Sequence, residues 1–330
     1  MEVVSEKKKG TMKKRFSLKS IFKIIKIIAL IFLLVIIMSI AYEQISRVLT
    51  ANNHAPVGKM VDIGEYKLHM YATGKKSQLP TVVLESGLGT PSSYEDWRFV
   101  QPELSKVTRV ISYDRAGYGW SDEAPNERTA EQLVEDLHTM LEKSGEKGPF
   151  LMVGHSFGGM ISRMFVSKYP EESAGMVLVD SSHVDQELEF SKWQVYMAKV
   201  LKETGIIRIA GDLGFLPIHE KLSSQDIAVD FFYNKVHNAN QTSELLNMMT
   251  KTANQVRKAE GKGFGNLPVF ILSSANTIKE YPEWLKLQQS MTSWSTSSQN
   301  KIVSGSGHFI QLDQPNIIIE SAKNILNQKQ

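Results

Sequence analysis

Residues 154–158 read Gly154-His155-Ser156-Phe157-Gly158, a serine framed by two glycines. The pentapeptide lies between the apolar run Phe150, Leu151, Met152, Val153 and an amphipathic stretch that opens at Met160. That setting reads as strand, sharp turn and helix, with the hydroxyl lifted clear of the backbone. The glycines answer the unusual dihedrals and the lack of space that such a turn imposes. A serine hydroxyl is a poor nucleophile until a base takes its proton, and imidazole suits that task near neutral pH. Of the eight histidines, His308 is best placed, after the last expected strand in the loop Ser304-Gly305-Ser306-Gly307-His308. His155 is expected to point away from the serine and to shape the turn. Attack on a carbonyl also needs N–H donors for the developing oxyanion. One is expected from Phe157, directly after the serine, and the other from Leu88 in the glycine-rich stretch Glu85-Ser86-Gly87-Leu88-Gly89.

The elements that must hold these groups can be read along the chain. Residues 61–64 and 66–71 suggest a short antiparallel hairpin, after which strands and helices alternate. Strands are expected at 81–85, 109–114, 150–154 and 176–180, and helices at 94–106, 129–144 and from Ser156 to about Tyr169. Thr129 and Gln132 have the spacing of a capping box, and Gly145 follows as a stop. The alternation lapses between 181 and 266, where amphipathic stretches at 187–203 and 225–258 predict an inserted helical cap. It resumes with a strand at 269–273, a helix at 283–291, a strand at 301–304 and a helix at 316–328. Such alternation implies a mainly parallel sheet covered on both faces, with functional loops at the carboxyl ends of the strands.

The 330 residues, 42% hydrophobic and 22% charged, are enough for a full core in one large domain with an insertion. The net charge of +3 is small and the basic excess lies before residue 27, so no surface for nucleic acid is implied. From Ile27 to Tyr42 the chain is apolar except for Ser39, and snorkelling of Lys23 and Lys26 extends the usable span to about 20 residues. The expected division is a basic cytoplasmic arm (1–20), a transmembrane anchor (21–42), a linker (43–59), a core in two parts (60–181 and 267–330) and the cap (182–266). Lysines on the amino side predict that end cytoplasmic and the remainder outside a single-pass anchor in the cell membrane. The competing reading is a signal peptide cleaved after the small pair Ser39 and Ala41, which would release a secreted protein. With no cysteine in the chain, disulfides, thiolate nucleophiles and cysteine-bound metals are excluded.

Over about residues 60–328 the chain resembles the alpha/beta-hydrolase superfamily. The resemblance rests on V-V-L-E-S-G-L-G (82–89), S-Y-D-R-A-G-Y-G-W-S-D (112–122), V-G-H-S-F-G-G (153–159), G-M-V-L-V-D-S-S-H (175–183) and S-G-H (306–308). It implies that Asp114 and Arg115 sit in a structural loop without a catalytic role. It also exposes a departure: the strand after the cap runs into Ser273-Ser274-Ala275-Asn276-Thr277, with no carboxylate where family members often carry the acid of the triad. A variant in the haloalkane-dehalogenase branch has the acid at the end of the preceding strand, which corresponds to Asp180; Asp185, Glu280 and Glu283 remain as alternatives.

A serine nucleophile disfavours the dehalogenase and epoxide-hydrolase chemistries of the superfamily, which resemble attack by an aspartate. The expectation is a serine hydrolase, of carboxylesterase or lipase kind, that cleaves an ester through an acyl-enzyme. Amide hydrolysis is the runner-up, and a non-catalytic anchored binding module is the alternative of another class. Nothing in the sequence calls for a metal or an organic cofactor. The partners expected are a small ester or lipid-like substrate and the bilayer, and Phe190, Trp193, Tyr196, Phe231 and Phe232 are candidates for lining an acyl pocket or for plain core.

Overall fold

The computed structural model describes residues 18–51, 53–188, 191–215 and 226–328. Eight strands form one sheet in the order β1-β2-β4-β3-β5-β6-β7-β8. The strands are β1 (Lys59–Asp62), β2 (Lys67–Thr73), β3 (Thr81–Glu85), β4 (Val110–Tyr113), β5 (Phe150–His155), β6 (Ser173–Val179), β7 (Val269–Ser274) and β8 (Ser298–Val303). The β1–β2 and β2–β4 pairs are antiparallel, and all the others are parallel.

Because side chains alternate along a strand, each parallel strand except the edge strand β8 feeds two cores. Val83, Met152, Met176, Leu178 and Ile271 enter one, packed on α4 (Ala130–Lys143) and α5 (Phe157–Lys168). Val82, Leu84, Leu151, Val153, Val177, Val179 and Leu272 enter the other, packed on Trp97, Leu104, Ile318 and Ile325. The last two belong to α14 (Pro315–Asn327), which follows the short α13 (Ile310–Asp313). Strands buried on both faces are why the sequence there is continuously apolar rather than alternating.

Between β6 and β7 the described residues form helices and no strand: α6 (Lys192–Glu203), α7 (Ile206–Asp212), α8 (Asp226–Lys235), α9 (Ala239–Asn247), a π-helical turn at Met248–Thr252 and α10 (Ala253–Glu260). The insert reaches back to the carboxyl end of the sheet, where the Asn238 and Asn240 side chains donate to the carbonyls of Gly117 and Ala124. After β7 come α11 (Ala275–Glu280) and α12 (Glu283–Ser290).

Four local expectations need correction. The helix expected over 94–106 is two short ones, α2 (Ser93–Asp96) and α3 (Gln101–Leu104), because Pro102 has no N–H for a continuing helix and sits instead in the first turn of α3. The capping box is not formed. Thr129 caps α4 without a side-chain bond, and Gln132 turns to Asp136 at 2.9 Å. The free amides of Ala130 and Glu131 are met from the insert by Thr252 and Gln255, each at 3.1 Å. The last strand begins three residues early, at Ser298, since pairing to Val269 in β7 outweighs the weak strand preference of Ser298, Gln299 and Asn300. Finally, the amino-terminal helix α1 runs from Leu18 to Thr50 and takes in residues 43–50, expected as linker. Those residues pack on the insert, where Glu43 bonds Arg208 at 2.7 Å and Arg47 bonds Glu203 at 3.1 Å.

Candidate active site

At the end of β5 the chain reverses through Ser156, which holds φ 52 and ψ −122. No L-residue adopts that conformation without cost, and such strain persists where the surroundings over-determine it. Here a side chain on Gly154 would overlap Ser162 and Gly158, and one on Gly158 would overlap the carbonyls of Glu85 and Ser86. The two glycines thus serve close packing of β5, α5 and the loop after β3 rather than a left-handed backbone. Phe157 opens α5, so its amide has no carbonyl one turn earlier to bind. The loop after β3 approaches from the other side, with Gly87 packed against His155 and Ser156, and Leu88 lining the same cavity as Ser156.

Next to Ser156, at the end of β6, Asp180 also takes a positive φ, 41. Its carboxylate is fully buried and saturated: Oδ1 accepts from the Ser274 amide at 2.9 Å and the Trp284 indole at 2.8 Å. Oδ2 accepts from Thr277 Oγ1 at 2.9 Å and meets His308 Nδ1 at 2.7 Å. Burial drives its pKa up, but His308 and the neutral donors outweigh that effect and hold the carboxyl below its ordinary range. The stretch 273–277, which lacks an acid, supplies donors to Asp180 instead.

Ser156 and His308 line one cavity of about 490 Å³ together with Leu88, Ser182, Leu188, Met248, Asn276, Tyr281, Trp284 and Leu287. Ser156 Oγ has Ser182 Oγ at 3.5 Å, at the limit of a hydrogen bond, which leaves the hydroxyl loosely held. Glu280 and Glu283 are exposed on the rim, and Asp185 pairs with Arg257 at 2.7 Å, so none of the three approaches His308 Nδ1 as Asp180 does. Of the aromatic residues considered for the pocket, Trp193, Tyr196, Phe231 and Phe232 do not line this cavity. Trp193 and Tyr196 are exposed, Phe231 packs on Trp120, and Phe190 lies outside the described residues. A second cavity of about 620 Å³ sits at the opposite end of the sheet, near Pro170 and Pro268, and contains none of these groups.

His155 points away from Ser156 and braces His308. Its Nε2 meets the His308 carbonyl at 2.9 Å, and its Nδ1 meets Gln311 Nε2 at 3.1 Å. Burial, with the adjacent His308, pushes its pKa down to about 3, so the ring stays neutral and Nε2–H donates to that carbonyl. Gln311 in turn donates to Asp96 at 2.9 Å, a buried carboxyl whose pKa desolvation pushes up to about 6.

Arg115 is the residue whose part was not foreseen. Its guanidinium, buried, donates to the carbonyls of Ser86 at 2.6 Å and Gly87 at 3.0 Å, the second belonging to the peptide whose N–H is that of Leu88. It also pairs with Glu85 at 2.7 Å and with Glu244 of α9 at 3.0 Å, while Tyr118 donates to Glu244 at 2.7 Å. Helix α9 of the insert is thereby tied to the loop that carries the expected oxyanion donor. Asp114 is a structural hub, accepting from the Ser93 amide at 2.7 Å and meeting His69 Nδ1 at 2.8 Å. Among the described residues no group of acidic or histidine side chains is arranged to hold a metal ion.

The alpha/beta hydrolase fold family model matches residues 80–315. The chain belongs to that family. It is similar to YqjL of Bacillus subtilis, 27% identical over 74% of this chain and 82% of that protein. It is also similar to the 2-hydroxy-6-oxo-2,4-heptadienoate hydrolase of Pseudomonas putida, 30% identical over 42% of this chain and 49% of that enzyme. Among solved structures, the enol-lactonase from Burkholderia xenovorans LB400 is matched over 82% of this chain and all of its own, with a TM-score of 0.62 at 17% identity. Several other curated relatives are matched over less than half of their own length. The family makes this alpha/beta-hydrolase a hydrolase of small molecules.

Proposed function

We propose that this hydrolase cleaves a carboxylic ester through an acyl-enzyme, with Ser156 as nucleophile, His308 as base and Asp180 as the acid that orients it. The reading is carried by one observation: a serine held at positive φ shares a cavity with a histidine whose Nδ1 is bound to a buried, ionised carboxylate. With Nδ1–H committed to Asp180, Nε2 is the basic nitrogen. Ser156 Oγ adds to the ester carbonyl carbon as its proton passes to His308 Nε2. The tetrahedral oxyanion is met by the amides of Phe157 and Leu88. Collapse expels the alkoxide, which takes the proton from His308, and water repeats the sequence on the acyl-enzyme to release the acid.

The same reading has α1 as a single-pass anchor, its amino end in the cytoplasm and the hydrolase outside. The helix from Leu18 onward has a window of mean hydropathy 3.1, none of it buried. It continues unbroken through Ala41 and packs on the insert at Ser39 and Glu43, which favours an uncleaved helix over a leader removed at that point.

The test is labelling with a fluorophosphonate probe, comparing the natural chain with Ser156→Ala. Labelling of the natural chain alone is expected. Labelling that persists in the variant would move the nucleophile elsewhere, and none in either would leave a binding module.

A further inference from the structure

We infer that the exposed apolar face of α6 and α7 is a second membrane contact, seated on the outer leaflet beside α1. The inference rests on reading α1 as a bilayer span. The hydrocarbon core takes about 20 helical residues. Counted from Lys23 or Lys26, where the lysines can snorkel to the inner headgroups, about 20 residues end near Glu43 or Ser46. Contact between α1 and the insert begins earlier. Ser39 Oγ donates to the Thr204 carbonyl at the α6–α7 junction at 2.5 Å, Gly205 packs on the Ser39 backbone, and Tyr42 bonds Asp212 at 2.7 Å. The junction therefore meets α1 at or inside the outer boundary of the bilayer, which brings the ends of α6 and α7 that flank it to the leaflet.

Their surface chemistry suits that position. Trp193, Tyr196 and Val200 of α6 lie at i, i+3 and i+7, one face of a helix, and are 70%, 52% and 50% exposed. Ile206 of α7, with Leu213 and Phe215 directly after it, adds 44%, 66% and 75%. Trp and Tyr are the residues enriched at membrane–water interfaces, and Lys192 and Lys199 on α6 suit anionic headgroups. The carboxylate at the end of the span is neutralised: Glu43, 1% exposed, is paired with Arg208 at 2.7 Å and Arg47 at 2.6 Å. A bilayer is thus the partner to which the position and chemistry of this face point.

The chain has no cysteine, so one introduced thiol carries a nitroxide cleanly. Full-length Trp193→Cys, Tyr196→Cys and Phe215→Cys would be labelled in liposomes that contain anionic lipid, with Leu30→Cys as the anchor reference and Lys106→Cys as the aqueous one. Collision with oxygen, enriched in lipid, is compared with collision with a water-soluble nickel chelate. The oxygen-to-nickel ratio at the three insert positions is expected to exceed that at Lys106→Cys severalfold. Aqueous values there with a lipid value at Leu30→Cys would overturn the inference and leave the anchor standing. An aqueous value at Leu30→Cys would overturn both. Spin–spin broadening at Trp193→Cys would mark a second copy of the chain on this face and would also overturn it.

Discussion

Replacing Asp180 with Asn tests the proposed triad at its least ordinary member. The substitution keeps the shape and most of the hydrogen bonds, since an amide oxygen can still accept from the Ser274 amide and the Trp284 indole. What changes is the group facing His308 Nδ1, now at 2.7 Å from a carboxylate oxygen. An amide NH₂ there requires Nδ1 to accept, which shifts the ring proton to Nε2 and presents a donor where a base is needed. The imidazolium formed during attack also loses its buried counter-charge. Loss of the correct tautomer and of that charge together is expected to lower kcat by about 10⁴-fold, about 5.5 kcal/mol of transition-state stabilisation. The assay is hydrolysis of p-nitrophenyl esters by the detergent-solubilised full chain, with thermal unfolding as a check on the fold. Singly made Asp185→Asn, Glu280→Gln and Glu283→Gln are expected to stay within about threefold, since these side chains are exposed. A folded Asp180→Asn with more than about a tenth of natural activity would refute the assignment, and a collapse in Glu280→Gln or Glu283→Gln would replace it.

Glu244→Gln should release Arg115 from the insert and loosen the loop at Leu88; a loss of about 3 kcal/mol in stability and of about tenfold in kcat is expected, by denaturant titration and ester assay. No fall in kcat would confine the network to a structural part. Asp96 has a pKa raised by burial above its unfolded value of about 3.9, to about 6. The folded state therefore binds more protons than the unfolded one across that window, and this group costs stability as pH rises through it. Asp96→Asn should accordingly gain stability over the natural chain on going from pH 4 to pH 7, by up to about 3 kcal/mol; a difference independent of pH would contradict the argument. His155 has the opposite sign. Its folded pKa of about 3 lies below the usual imidazole value, so its contribution is complete above about pH 6.5 and is lost as pH falls toward 3, a slope that His155→Gln should flatten in acid unfolding. Glu43→Ala leaves Arg208 without its 2.7 Å partner and should destabilise the packing of α1 on the insert by about 3–5 kcal/mol, read from calorimetry in detergent.

What the sequence makes legible here is what local rules decide. Ser156 can be read because a strand, two small residues and a helix within a few positions leave only one kind of turn, and the glycine contacts follow from it. The parallel strands can be read because burial on both faces leaves continuous apolar runs. Pairings across the fold cannot. Arg115 looks like one more charge in a loop until Glu244, 129 residues later, is brought to it. The amides of α4 look like a case for Thr129 and Gln132 until the insert delivers Thr252 and Gln255. The end of the amino-terminal helix is similarly masked, because the polar residues Glu43 and Arg47 read as linker only while Arg208 and Glu203 are out of view.

The proposed relocation of the acid to Asp180 follows the same logic. A histidine needs a carboxylate at Nδ1, not at any particular position in the chain. β6 and β7 are parallel neighbours in register through Val179 and Leu272, and adjacent strands lie about 4.8 Å apart. A histidine on a glycine-containing loop after β8 can therefore reach a carboxylate from either strand end with a small adjustment of its backbone. Once the acid stands after β6, the end of β7 is free for groups that stabilise it. Ser274 supplies an amide, Thr277 a hydroxyl, and Trp284 an indole N–H. This arrangement predicts that grafting a carboxylate back after β7, as Asn276→Asp, does not rescue Asp180→Asn. Residue 276 is exposed, and the donors that would hold its carboxylate are already aimed at position 180. Recovery to within about tenfold of natural kcat in the double variant would show that the loop after β7 retains the geometry of an acid site, and that the donors around Asp180 are not what fixes the acid in place.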